Sequence, residues 1–184
     1  MKIFVLVFCL LIGVTGFCQN EIDYQNKRLI NSLNKNGISG ISELEEINCD
    51  SKLQNEFNGK FFKLIGGKDV SDVKYVFVGR VNSCRAGGCC NALQISGNTE
   101  SEYFDYFIFF DESKTVKLVE VYNYAATHGY EITAKGWLKQ FAGFSGKDTL
   151  EVDKNIDGIS GATVSVHAIT ADVQQKTNLL KLFN

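Results

Sequence analysis

The strongest constraint on this fold is a pair of β-rich runs separated by only four residues. Tyr103–Phe110 is almost entirely aromatic, residues 115–124 carry Val116, Val119, Val121 and Tyr122, and Asp111-Glu-Ser-Lys114 joins the two. Aromatic and β-branched side chains suit a pleated surface, and so short and polar a connection turns the chain back on itself as a hairpin. Upstream, residues 74–78 read as a third strand, with Tyr75 and Phe77 on one face and Val76 and Val78 on the other. Apolar residues on both faces imply burial on both sides, and Gly79 is expected to mark a bulge.

The segments around this sheet carry helical patterns. In residues 21–36, Ile22, Leu29, Ile30 and Leu33 fall near helical spacing and Gly37 supplies a stop. After the break Gly37-Ile-Ser-Gly40, Ser42 is placed to cap a short helical stretch carrying Leu44 and Ile47. Residues 61–65, closed by Gly66-Gly67, fit either helix or strand. Helix returns over residues 134–141, and residues 164–182 put Val166, Ile169, Val173 and Leu180 on one face. The expected fold is α+β, an antiparallel sheet with flanking helices.

A chain of 184 residues, 45% hydrophobic and 22% charged, builds one ordinary core. With no proline, its bends fall to Gly, Asn, Asp and Ser. A formal charge of -2 and dispersed lysines offer no basic field for a phosphate backbone, which argues against a nucleic-acid partner. Lys2, the largely apolar residues 3–17, and the small residues of Gly16-Phe-Cys18 before Gln19 form a separate unit. Residues 1–18 read as a cleaved signal peptide, sending the protein to the periplasm or the exterior. A membrane anchor is the alternative, but a spanning helix needs roughly 20 apolar residues, and polar Gln19-Asn-Glu21 follow at once. Residues 19–73 then form an N-terminal helical region that makes one compact unit with residues 74–184.

Cys49, Cys84, Cys89 and Cys90 remain after the signal, an even number in a compartment that permits disulfides. In Cys84-Arg-Ala-Gly-Gly-Cys-Cys90 two glycines let the segment double back, so that Cys84 can reach Cys89 or Cys90 and Cys49 can take the other. Structural staples, a labile redox pair and a metal site all remain open on the residues alone. Against the metal site, the spacing is not a zinc pattern, no histidine lies nearby, and the haem signature is missing, so no metal ligand is named.

The most informative stretch precedes the last helix. Lys154-Asn-Ile-Asp-Gly158 is turn-rich, Ser160-Gly161 keeps the backbone permissive, and Ala162 is small enough for close approach. Free N–H groups where the helix starts near Thr163, with the positive end of its dipole, suit a phosphate. They equally suit an ordinary cap, in which the hydroxyl of Ser160 or Thr163 accepts from an orphan amide for about 1 kcal/mol.

Asp157-Gly-Ile-Ser-Gly-Ala-Thr-Val-Ser165 resembles the flavinylation motif of the FMN-binding domain family, typified by subunits of the sodium-pumping quinone reductase and Rnf complexes. The resemblance implies that a separate flavin transferase, using FAD and magnesium, joins FMN covalently through its phosphate to Thr163. Asp157, Ser160, Gly161, Ala162 and Ser165 match the motif's acid, small residues and trailing hydroxyl. Trp137, Gln140, Phe141 and Gly143 are similar to a Trp-to-Phe-Gly stretch of the family, which implies a flavin-facing Trp137; core packing against Phe141 is the other reading. His128-Gly129 stands where the family has a Pro-Gly turn, so Gly129 joins the implied cofactor set, although the missing proline and Tyr130-Glu131 depart from pattern.

What the resemblance implies for residues 74–184 is an FMN-binding domain acting as a redox carrier between membrane-associated donor and acceptor proteins, with the cofactor supplying the electron chemistry. Two other classes stay open: a disulfide-stapled binding module, and a thiol–disulfide oxidoreductase built on Cys84, Cys89 and Cys90.

Overall fold

The structure is a computed structural model that describes residues 21–48, 57–65, 71–83 and 102–183. The signal-like segment and the disulfide candidates Cys49, Cys84, Cys89 and Cys90 lie outside the described residues. Five strands form one antiparallel sheet in chain order: β1 (Leu44–Glu46), β2 (Gly59–Leu64), β3 (Tyr75–Asn82), β4 (Tyr103–Phe110) and β5 (Val116–Tyr124). The helices are α1 (Lys27–Lys35), the single-turn α2 (Lys135–Leu138), continued by a 3-10 turn to Phe141, and α3 (Thr163–Leu180). The fold is α+β, with the hairpin of β4 and β5 where the two aromatic and β-branched runs require it. Among the described residues no helix is long and apolar enough to cross a membrane.

Helices cover both faces of the sheet, and this explains why β4 shows no alternation of apolar and polar residues. Phe104, Tyr106, Ile108 and Phe110 point into one core, shared with Leu138, Phe141 and the α3 residues Val166, Ile169, Val173 and Leu180. Phe107 and Phe109 point the opposite way, to Leu29 and Leu33 of α1. Asp105, the one acid in the strand, is 1% exposed, and its carboxylate accepts from Arg80 Nε at 2.6 Å, Arg80 Nη2 at 3.0 Å and Asn123 Nδ2 at 2.8 Å. A buried charge persists only when paired and hydrogen-bonded in this way. The same rule holds for Lys176, 2% exposed on the inner face of α3, which donates to Asp172 Oδ1 at 2.6 Å while Tyr106 of β4 donates to the other carboxylate oxygen.

Several elements differ from the sequence expectation. The first helix begins at Lys27, because Asn26 caps it by accepting from the Arg28 amide at 2.9 Å; Ile22 packs on the second core from outside the helix. Ser42 lies within a 3-10 turn, and Leu44 enters β1 because its backbone pairs with Leu64 of β2. Residues 61–65, open between helix and strand, lie largely in β2, so the region read as helical supplies two strands of the sheet as well as α1. Runs this short carry no readable period, and pairing with β3 decides them.

Gly79 marks no bulge. It sits in register between Gly59 and Tyr106, where a Cβ would fall 2.3 Å from the Phe77 ring and 2.6 Å from the Asn58 carbonyl oxygen. The irregularities are in β5 instead, where Lys117 and Tyr122 have no partner in β4. Each extra residue resets the face to which the following side chains point.

Candidate functional site

α3 begins at Thr163 with Ala162 as its cap residue, and no side chain caps it. The ordinary capping role open to Ser160 or Thr163 is thus not realised. The first helical bond runs from the Val166 amide to the Ala162 carbonyl at 2.9 Å, which leaves the amides of Thr163, Val164 and Ser165 with no acceptor among the described residues. Together with the positive end of the helix dipole, these three donors form an anion-receptive pole. Thr163, Ser160, Gly161 and Asp157 are exposed. Gly161 has φ +82°, which favours glycine at the bend into the helix. Ala162 faces the other way: at 2% exposure it packs in the core, and its smallness serves that packing.

Ser160 and Thr163 line an open cleft of about 300 Å³ together with Asp153, Gly158 and His167. His167 lies one helical turn beyond Thr163, and helical spacing puts the two on one face. Asp153 takes the left-handed backbone, φ +65°, and its carboxylate lies where a Cβ on Gly158 would fall, 2.6 Å from Oδ1. Gly158 is therefore what admits this acid beside the motif.

Each end of the exposed loop is fixed by a different element. At its start, Trp137 Nε1 donates to the Asp157 carbonyl at 2.9 Å, and Gln140 Oε1 accepts from the Asp157 amide at 2.8 Å. One turn of helix and its extension thereby hold both backbone groups of Asp157. The Trp137 indole also meets Phe141 edge-on, ring centroids 5.5 Å apart, so its polar edge is spent on the motif backbone and its ring on the core.

At the far end, Ser165 is 2% exposed and points into the molecule, away from the cleft. Its hydroxyl lies 2.9 Å from Tyr124 OH and 3.1 Å from Ser83 Oγ. Tyr124 gives its single proton to the His128 carbonyl, so Ser165 donates to Tyr124 and Ser83 to Ser165. Burial raises the Tyr124 phenol above its usual range, opposed by the Ser165 bond and helped by the charges of Glu102 and Glu131. The extra residue Tyr122 is what turns Tyr124 to this face, where its ring stacks on Phe104 at 5.8 Å. Gly129, φ +92°, completes the contact: a Cβ there would be 2.8 Å from Ser165 Oγ and 2.9 Å from Tyr124 OH.

Of the residues expected at the site, Ser160 and Thr163 share the cleft. Asp157 and Trp137 meet beside it, and Gly129 and Ser165 meet behind the helix. Asp153, His167, Tyr124 and Ser83 were not anticipated. Of these only His167 left a trace in the sequence, its spacing of four from Thr163.

The fold and the site define a class: an α+β domain that presents an exposed threonine at an uncapped, anion-receptive helix start. Residues 103–177 match the model of the FMN-binding domain family, from the first residue of β4 to the last turns of α3 and across the whole motif. Over that segment the chain carries an FMN-binding domain, which supports FMN as the cofactor. Comparison with curated proteins gives no match. The residues fit the group, since three amides and a Thr163 hydroxyl that bond to no described residue stand where a phosphate can be held.

Proposed function

We propose that this protein is an exported electron carrier holding FMN as a phosphate ester on Thr163 Oγ1. The observation that carries the reading is the Thr163 hydroxyl: exposed, engaged in no cap, and set beside three open amides in a segment that matches the FMN-binding domain family. A flavin transferase would supply FAD. Thr163 Oγ1 forms a bond to the FMN phosphorus, the pyrophosphate bond to AMP breaks, and the hydroxyl proton is released. The amides of residues 163–165 neutralise charge on the phosphoryl oxygens without reorganising. Trp137 and Gln140 keep the loop in place while its middle remains open to a second protein.

Bound FMN supplies the electron chemistry, and the protein supplies attachment and orientation. The signal-like residues 1–18 support export, and a covalent link suits a compartment where a lost cofactor is not readily replaced. Membrane-associated donors and acceptors follow from that placement. Co-production with a flavin transferase is expected to give a band that fluoresces after denaturing electrophoresis and an intact mass increased by one FMN less water. Persistence of that fluorescence in Thr163→Val sinks the assignment.

A further inference from the structure

We infer that His167 is the side chain that binds the phosphoryl group carried by Thr163, donating from its imidazole to a non-bridging phosphate oxygen; this rests on the covalent attachment proposed above. Thr163 and His167 line the same cleft. They are four residues apart near the start of α3, and helical side chains lean toward the N-terminus, so the imidazole covers the turn that begins at Thr163. Its ring is exposed and bonds to no described residue, leaving both nitrogens available.

The three open amides point along the helix axis from one side of the hydroxyl. An imidazole one turn along supplies a donor from the flank, where axial amides do not reach. Among the described residues lining the cleft, the only carboxylate is that of Asp153. That carboxylate repels a phosphate, and a donor from the His167 imidazole offsets it. Protonated imidazole on a phosphate oxygen is a charge-assisted bond, of the strong class.

A phosphodiester has no proton to lose between pH 5 and 8, whereas histidine changes charge in that interval. The 31P resonance of the attached FMN therefore reports the imidazole. The test uses the full chain flavinylated by a co-produced transferase, followed by 31P NMR from pH 5 to 8.5. The expected result is a single inflection in the wild type, retained in Asp153→Asn and in His128→Gln, which removes the chain's other histidine, and abolished in His167→Gln. His167 is exposed, so the variant is expected to melt with the wild type. A flat titration in the wild type, or an inflection that survives His167→Gln, overturns the contact. A chain whose intact mass shows no FMN overturns the attachment itself and the contact with it, and mass and resonance keep the two failures apart.

Discussion

Gly129→Ala tests the packing behind the attachment helix, because a second glycine serves as its control. Gly129 and Gly143 have nearly the same backbone, φ +92° and +89°, but a Cβ at Gly143 meets nothing within 4 Å, whereas one at Gly129 falls 2.8 Å from Ser165 Oγ, 2.9 Å from Tyr124 OH and 3.2 Å from Ser165 Cβ. Gly143→Ala therefore measures the left-handed backbone alone, about 1–2 kcal/mol for a residue with a Cβ. Gly129→Ala adds separation of the buried Ser165 hydroxyl from the half-buried Tyr124 hydroxyl, and a buried hydroxyl that loses its partner costs about 1–3 kcal/mol.

The expected penalties are roughly 1.5 kcal/mol for Gly143→Ala and 3–4 kcal/mol for Gly129→Ala. At about 2–4 °C of melting temperature per kcal/mol for a chain of this size, thermal melts should fall by roughly 5 °C and 10 °C. Adding Ser165→Ala removes the atom nearest the new methyl and leaves only the Tyr124 hydroxyl and the residue-165 Cβ close to it, so in that background Gly129→Ala is expected to cost less by at least about 0.5 kcal/mol. Equal melts for the two single glycine variants would refute the contact geometry at Gly129.

Two further perturbations address the loop and the opposite face of the sheet. Trp137→Phe and Gln140→Leu each remove one bond to Asp157, worth about 1 kcal/mol in stability; FMN attachment by a transferase is expected to slow several-fold in both, with Gln140→Glu, which keeps the acceptor, near wild type, and a rate that merely follows the melting temperature counts against the clamp. Tyr122 OH is buried without a partner among the described residues, and burial first, then the charges of Asp105, Asp23 and Tyr24, push its phenol far above the usual range. A folded pKa above the unfolded one favours the protonated fold, so this stability is present below about pH 10 and is lost as pH rises beyond it. Tyr122→Phe should gain about 1 kcal/mol at neutral pH and flatten the fall in urea midpoint above pH 10. The flattening is partial, since Tyr24, Tyr106 and Tyr124 are shifted the same way.

The hairpin and α3 were legible in the sequence because each carries its own signal: aromatic runs around a polar turn, and Val166, Ile169, Val173 and Leu180 at helical spacing. β1 and β2 were not, since three and six residues hold no period and take their form from pairing with neighbours. Gly79 misled for a related reason. A glycine that makes room for a ring cannot be told by sequence from one that marks a bulge, and the bulges fell at Lys117 and Tyr122, which carry ordinary side chains. At the site, the run 157–165 was legible as a unit, but the direction of each side chain was not. Ala162 and Ser165 turn inward and Ser160 and Thr163 outward because α3 must bury Val166 and Ile169 in the core against the sheet, a tertiary demand absent from the local pattern.

That division of faces also accounts for how one short segment can be both rigid and open to a modifying enzyme. An acceptor presented to another protein's active site gains rate when its nucleophile is already held in a productive geometry, yet fixing an exposed loop through its exposed residues would block access. Here the restraints act from behind and at the ends. Trp137 and Gln140 hold the Asp157 peptide, Ile156 and Ala162 are buried in the core, and Ser165 is tied to Tyr124 and Ser83. Ser160, Gly161 and Thr163 between them remain exposed with no ordering cost left to meet at the moment of reaction. If that division governs attachment, substitutions at the hidden restraints should lower the rate without changing which residue is modified, whereas substitution of Thr163 should abolish attachment with little effect on the melt.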